Sequence, residues 1–282
     1  MPFFDGATGR VYYKSWRVDD PSAVVVFLHG FGEHSGLYHR LAHSLAGFGI
    51  ELWALDEIGH GLSDGDRGVV ESIDHLVENG RRLRGLAGSA NPGVPIVLAG
   101  HSLGGVAAAV TAGRDQAPYR GLVLSGTPLA PLAWVAELAQ LGPEAELSLD
   151  AADLSSDPFY LDELENDPLA FTSAAGAASL LAVLPPAWEE LEESLTRITI
   201  PVLLVHGGGD PLAPLPATRA GASRLPDVRI SEFPGARHDV LNEHDHRAVA
   251  RTIADFVLSV ARSAGDAESS VAGPSEALAA SG

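Results

Sequence analysis

Val94-Pro95-Ile96-Val97-Leu98-Ala99-Gly100-His101-Ser102-Leu103-Gly104-Gly105-Val106-Ala107-Ala108-Ala109-Val110 reads as a short buried strand that turns without a linker into a helix. A run of Ile, Val, Leu and Ala with no polar alternation fits a strand covered on both faces. The alanine-rich stretch after it favours helix. Glycines on either side of Ser102 tolerate a tight turn and let neighbouring backbone approach. The Gly-x-Ser-x-Gly string alone is weak evidence in a chain with 31 glycines. Its place between strand and helix is what makes it informative, because there a serine is presented on a sharp turn at the C-terminal edge of a sheet.

Outward from this stretch, similar apolar runs recur at Val24 to Gly30, Ile50 to Asp56, Gly121 to Gly126 and Pro201 to Gly207, each closing on glycine or aspartate. Helix-compatible segments lie among them, at His34 to Phe48, Ser72 to Ala87, Leu103 to Arg114 and Pro214 to Arg224, and a last helix is expected over Glu243 to Ser263. Strands alternating with helices indicate an α/β fold built on a parallel sheet. The rhythm breaks between Pro128 and Thr196, where about 70 residues separate two buried strands that a far shorter crossover could join. The expected organisation is therefore a core in two parts, residues 1–127 and 197–263, a helical cap inserted over 128–196, and a small, polar, disordered tail over 264–282.

Composition removes several functions. No cysteine is present, so disulfides, thiolate metal sites and a cysteine nucleophile are excluded. The net charge of −19 opposes binding to nucleic acid and to anionic lipid. No window approaches a membrane-spanning length of apolar residues, and no secretory leader pattern opens the chain, so a cytoplasmic protein is expected. Much of the negative charge lies in the insertion, which carries 14 acidic side chains and neither lysine nor arginine. Its Trp134, Leu138 and Leu141, then Leu180, Leu181, Leu184 and Trp188, fall at helical spacing, as an apolar underside facing a pocket requires.

A serine hydroxyl needs a base to take its proton, and the base needs an acid to orient it. Asp210 follows the strand Val202 to His206 through a glycine turn. His238 follows the expected final strand Val228 to Phe233. Ser102, Asp210 and His238 thus stand in the chain order that accompanies this kind of serine elbow. Rival bases are His101, His206, His244 and His246, and Asp239 is a rival acid. Backbone N–H groups of Phe31, after the first buried strand, and Leu103, after the nucleophile, are the expected donors to a developing oxyanion. His39 and His43 lie four apart, but no glutamate sits between them as a helical zinc motif requires. Gly207-Gly208-Gly209 lacks the remainder of a nucleotide loop, so no cofactor is implied.

These motifs resemble the α/β-hydrolases, and among them the monoacylglycerol lipase and lysophospholipase group. The resemblance rests on His29-Gly30-Phe31-Gly32-Glu33-His34-Ser35-Gly36, on Asp56 to Gly65, on the Ser102 elbow, on Asn166-Asp167-Pro168-Leu169, and on Asp210 and His238. It implies a mostly parallel sheet of about eight strands with helices on both faces, a helical cap, and ester hydrolysis through an acyl-enzyme on Ser102. It also implies a place for Glu33 near the substrate head. Leu37 stands where mammalian relatives carry arginine, and Asp239-Val240-Leu241-Asn242 stands where they carry a second histidine. A neutral ester with an alkyl or aryl acyl group is therefore expected, a monoacylglycerol among the options, with Glu33, Leu37, Trp134 and Leu184 as substrate contacts. The same triad could cleave an amide or a carbon–carbon bond, and a silent ligand-binding member of the fold is the alternative of another class. A weak peripheral membrane contact through the cap is expected. The sequence does not specify the oligomeric state.

Overall fold

A computed structural model of the chain describes residues 2–142, 145–174 and 178–271. Its main sheet has eight strands: β1 (Phe3–Asp5), β2 (Arg10–Trp16), β3 (Ala23–Leu28), β4 (Ile50–Leu55), β5 (Ile96–His101), β6 (Leu122–Ser125), β9 (Val202–Gly207) and β10 (Val228–Phe233), in the spatial order β1-β2-β4-β3-β5-β6-β9-β10. Strands β3 to β6, β9 and β10 run parallel, while β2 pairs antiparallel with β4 and β1 with β2. A minor ladder joins β7 (Leu147–Ser148) to β8 (Ser173–Ala174) inside the insertion.

Period-two alternation explains why the central strands are apolar throughout. Val24, Val26 and Leu28 of β3 point into one core, whereas Ala23, Val25 and Phe27 point into another on the opposite face. Residues of β5, β6 and β9 divide in the same way. The first core is covered by α2 (Ile73–Ala90), α3 (Ser102–Arg114) and α8 (Leu215–Ala222); the second by α1 (His39–Ala46) and α9 (His246–Val271).

Between β6 and β9 the chain forms α4 (Ala133–Leu141), α5 (Ala151–Leu154), α6 (Pro158–Asn166) and α7 (Ala178–Ser194). These elements do not share one core. Val135, Leu180, Val183, Leu184 and Trp188 of α4 and α7 join the α2–α3 side, while Leu154, Tyr160 and Leu164 of α5 and α6 join the α1–α9 side.

Two sequence expectations shift. The segment from His34 is not one helix: a 3-10 turn over Ser35–Tyr38 precedes α1. Here the Asp56 carboxylate accepts from the Ser35 amide at 2.8 Å and the His34 ring from the Gly36 amide at 3.1 Å. Helix α9 runs to Val271, into the stretch expected to be a tail; the rest of that stretch, 272–282, lies outside the described residues. Alanine and glutamate in Ala264-Gly265-Asp266-Ala267-Glu268 are compatible with continued helix. Among the described residues no helix is long and apolar enough to cross a membrane.

Candidate active site

Ser102 sits at the junction of β5 and α3 with φ of +50°, in the left-handed region that a side chain rarely occupies. Holding it there costs about 1–2 kcal/mol, so the surrounding chain must enforce the turn. The flanking glycines show how. A Cβ on Gly100 would strike the Gly104 carbonyl, and one on Gly104 would strike the carbonyl oxygens of Leu28 and His29. Close packing of α3 on β3 is therefore available only with glycine at 104.

The three residues expected to cooperate are brought together. His238 Nε2 lies 2.8 Å from Ser102 Oγ, and His238 Nδ1 lies 2.9 Å from Asp210 Oδ2. With Nδ1–H donating to the carboxylate, Nε2 is left to accept the serine proton. Asp210 is fixed in turn by the amides of Leu212 and Ala213, which donate to Oδ1 at 2.9 and 2.8 Å. Burial pushes its carboxyl pKa up. The His238 imidazole and hydrogen bonds from His206, His238 and the Ala213 amide outweigh that and hold it well below the ordinary range. The group therefore stays ionised at neutral pH, next to the ring that must become cationic.

The rival residues take other places. His206 lies on Asp210 rather than on the serine: its Nε2 donates to the Ala213 carbonyl at 2.7 Å and stands 3.2 Å from Asp210 Oδ2. His101 is buried with Nδ1 3.3 Å from Ser125 Oγ, its ring centroid 4.9 Å from that of His238. Burial lowers its pKa, with Asp239 and Asp210 opposing. Asp239 Oδ2 accepts from the Asn242 side-chain Nδ2 at 2.8 Å. His246 Nδ1 lies 3.0 Å from the Glu243 carbonyl.

Neither the Phe31 amide, in the loop after β3, nor the Leu103 amide, in the first turn of α3, donates to a protein acceptor among the described residues. First-turn helix amides have no intrahelical acceptor, so Leu103 N–H is available beside the nucleophile. Both residues line the cavity that opens on Ser102, which holds about 550 Å³ of empty space, part of it open to solvent. Trp134 and Leu184 line it as well, together with Leu132, Leu149, Leu154 and Leu180. Among the described residues no lysine or arginine does.

Two expected substrate contacts stand differently. Leu37 does not line the cavity; it lies on the 3-10 turn over Ser35–Tyr38 and is buried in the core that α1 covers. Glu33 does line it, yet both carboxylate oxygens are engaged by the protein: Oε2 accepts from the Gly30 amide at 2.8 Å and the Tyr38 hydroxyl at 2.5 Å, and Oε1 from the Tyr160 hydroxyl at 2.9 Å. Burial and the nearby Asp239 carboxylate push its pKa up, and the hydrogen bonds from Tyr38, Tyr160 and the Gly30 amide hold it down.

Glu33, His101 and Asp239 each place a ligand-type atom within 4.8 Å of the others. The Glu33 oxygens already accept from tyrosine and backbone donors, and His101 Nδ1 lies against Ser125 Oγ. Of the helical pair, His39 Nε2 sits 3.5 Å from Glu163 Oε1, and His43 Nδ1 lies 2.7 Å from the His39 carbonyl.

Residues 19–245 match the family model described as serine aminopeptidase, S33. The chain belongs to this α/β-hydrolase family. It is 32% identical over 269 residues to the monoacylglycerol lipase of Mycolicibacterium smegmatis, spanning 91% of this chain and 96% of that one. It is 31% identical over 229 residues to the monoglyceride lipase of Homo sapiens, covering 75% of this chain and 74% of that protein. The crystal structure of Paleococcus ferrophilus monoacylglycerol lipase superposes with a TM-score of 0.75 at 29% identity, over 89% of this chain and 99% of that one. The eight-stranded sheet is thus that of the α/β-hydrolases, and the chain is a serine ester hydrolase acting on a small-molecule ester.

Proposed function

We propose that the chain hydrolyses neutral carboxylic esters of apolar acids, monoacylglycerols among them, with Ser102 as nucleophile, His238 as base and acid, and Asp210 as the group that orients the imidazole and stabilises its charged form. The observation that carries this reading is the Ser102–His238–Asp210 relay, at 2.8 and 2.9 Å, opening on a cavity walled by leucine and tryptophan with no cation among the described residues of its lining.

In the first half-reaction His238 Nε2 takes the Ser102 proton as Oγ attacks the ester carbonyl. The carbonyl oxygen gains charge opposite the Phe31 and Leu103 amides, and the imidazolium returns its proton to the departing alcohol. Water then repeats the sequence on the acyl-enzyme and releases the acid. Leucines and Trp134 favour an alkyl or aryl acyl group by desolvation, at roughly 0.8 kcal/mol per buried methylene.

An aminopeptidase reading, suggested by the name of the matching family, finds less support. A free α-ammonium needs an unengaged carboxylate, and the carboxylate in the cavity lining, Glu33, already accepts three hydrogen bonds from the protein. A weak contact of the cap with lipid surfaces is part of the proposal and is supported by exposed Leu141 on α4 and Phe159 on α6.

The test is a matched panel: a monoacylglycerol, neutral alkyl and aryl esters of rising acyl length, an anionic monoester, an amide and an aminoacyl amide, each with wild type and Ser102→Ala. Turnover of the neutral esters that Ser102→Ala abolishes supports the reading. Preferred turnover of the aminoacyl amide would replace it.

A further inference from the structure

Glu33 is 4% exposed, and no lysine or arginine among the described residues forms an ion pair with it. Burying a carboxyl group in this way is unfavourable unless its oxygens are well supplied with donors. Three donors meet it. Two are local, the Gly30 amide and Tyr38; the third, Tyr160, comes from α6 in the inserted segment, 127 residues away in the chain. Tyr38 and Tyr160 are both fully buried.

What this cluster holds is Gly30, by both of its peptides. The Glu33 carboxylate takes the N–H of the His29–Gly30 peptide, while the carbonyl of the Gly30–Phe31 peptide accepts from the Glu33 N–H at 3.3 Å and lies 2.7 Å from His29 Nδ1. A trans peptide is planar, so tying down the Gly30 carbonyl aims the Phe31 N–H in the opposite direction. The insertion adds a second tether, with the Phe171 amide donating to the Gly32 carbonyl at 2.9 Å. Phe31 and Phe171 also meet edge to face, with ring centroids 5.5 Å apart.

We propose that Tyr160 is a positioning residue for the hydrolytic reaction: its hydroxyl, acting through the Glu33 carboxylate, holds the Gly30 N–H and so fixes Gly30, from which the next peptide turns the Phe31 amide toward the oxygen that becomes negative during acyl transfer. The inference rests on the ester-hydrolase reading. It gives α6 a part in rate rather than only in covering the cavity. It also gives Glu33 a role that does not require contact with the substrate head.

The experiment compares Tyr160→Phe, Glu33→Gln and the double variant on the best ester of the panel, well below each protein's melting temperature. A trifluoromethyl ketone of matching acyl length serves as the oxyanion analogue. Tyr160→Phe is expected to lower kcat by about 10-fold while KM stays within about twofold, and to weaken the ketone by a similar factor. Glu33→Gln is expected to lose at least as much, and the double variant no more than Glu33→Gln alone, because the hydroxyl works through that carboxylate.

A purely structural tyrosine would lower the melting temperature and leave kcat and ketone affinity of the folded protein unchanged. That result overturns the proposal, as does a double variant whose losses multiply. Should the wild type hydrolyse none of the esters, the functional reading itself fails and this one with it. An active wild type with an unaffected Tyr160→Phe overturns this inference alone.

Discussion

The two limbs of the inserted segment meet the core in different ways. Helices α4 and α7 roof the cavity with Trp134, Leu180 and Leu184 and merge into the core beside α2 and α3; their directed bonds run from Trp134 Nε1 to the Leu212 carbonyl at 2.8 Å and between Ser179 and the backbone of Gly68 and Val70. The limb from α5 to Phe171 contacts the loops that carry Glu33 and His238 through directed polar bonds. Carbonyls of Asp153 and Leu154 accept from the amides of His238 and Asp239 at 3.3 and 2.7 Å, Tyr160 donates to Glu33, and Asp167 Oδ2 lies 3.0 Å from His34 Nε2. Apolar packing is tolerant of position, whereas a hydrogen bond weakens steeply with misalignment. The roof can therefore be reshaped for a different acyl group, while the clamp ties the loops of the proposed base, His238, and the proposed oxyanion donor, Phe31, to each other.

The sharpest way to break this comparison is to cut the clamp at Asp157, which pairs with Arg40 at 2.9 Å with both side chains largely buried, and caps α6 through the Phe159 amide. Asp157→Ala should cost about 3 kcal/mol in chemical unfolding, since it strands the Arg40 charge and removes a cap. It should also lower kcat more than it raises KM. Unchanged kcat in the folded variant would show that the loops do not depend on this limb.

On the roof, Leu184→Ala should cost about 2 kcal/mol in the same unfolding measurement. Its kinetic effect should be of the other kind, with KM for longer acyl esters raised several-fold and kcat little changed. A fall in kcat alone would place α7 with the clamp.

The smallest effect is expected where the roof limb's charges meet the core. Glu190 forms a forked pair with Arg114 at 2.7 Å, about one-third exposed on each side, so Glu190→Ala should change stability by only about 0.5 kcal/mol. A loss comparable to that of Asp157→Ala would erase the distinction between the limbs.

How far the sequence could be read follows the same division. Ser102, Asp210 and His238 were legible because each stands where an apolar run ends in a turn, so its place at the sheet edge follows from local pattern. Trp134 and Leu184 were legible from helical spacing. The acidity of the insertion was visible, but its use was not: Asp157, Glu163, Asp167, Glu190 and Glu192 reach arginines or histidines on the core, far away in sequence. Leu37 was misplaced because its segment forms a 3-10 turn where one continuous helix was expected. Tyr160 carried no signal, since its partner lies 127 residues away and no period links them. His206 is the middle case: its strand-end position was clear, and only the observed contact with Asp210 separates a brace from a rival base.

The most direct test of the central claim, that Ser102 is the nucleophile activated by His238, is to map the adduct formed by a fluorophosphonate probe by mass spectrometry. The account predicts one adduct per chain, on Ser102, absent in Ser102→Ala and slowed by at least about 10³-fold in a folded His238→Ala protein. Labelling at another residue, or an unreactive Ser102 in the folded wild type, would contradict it.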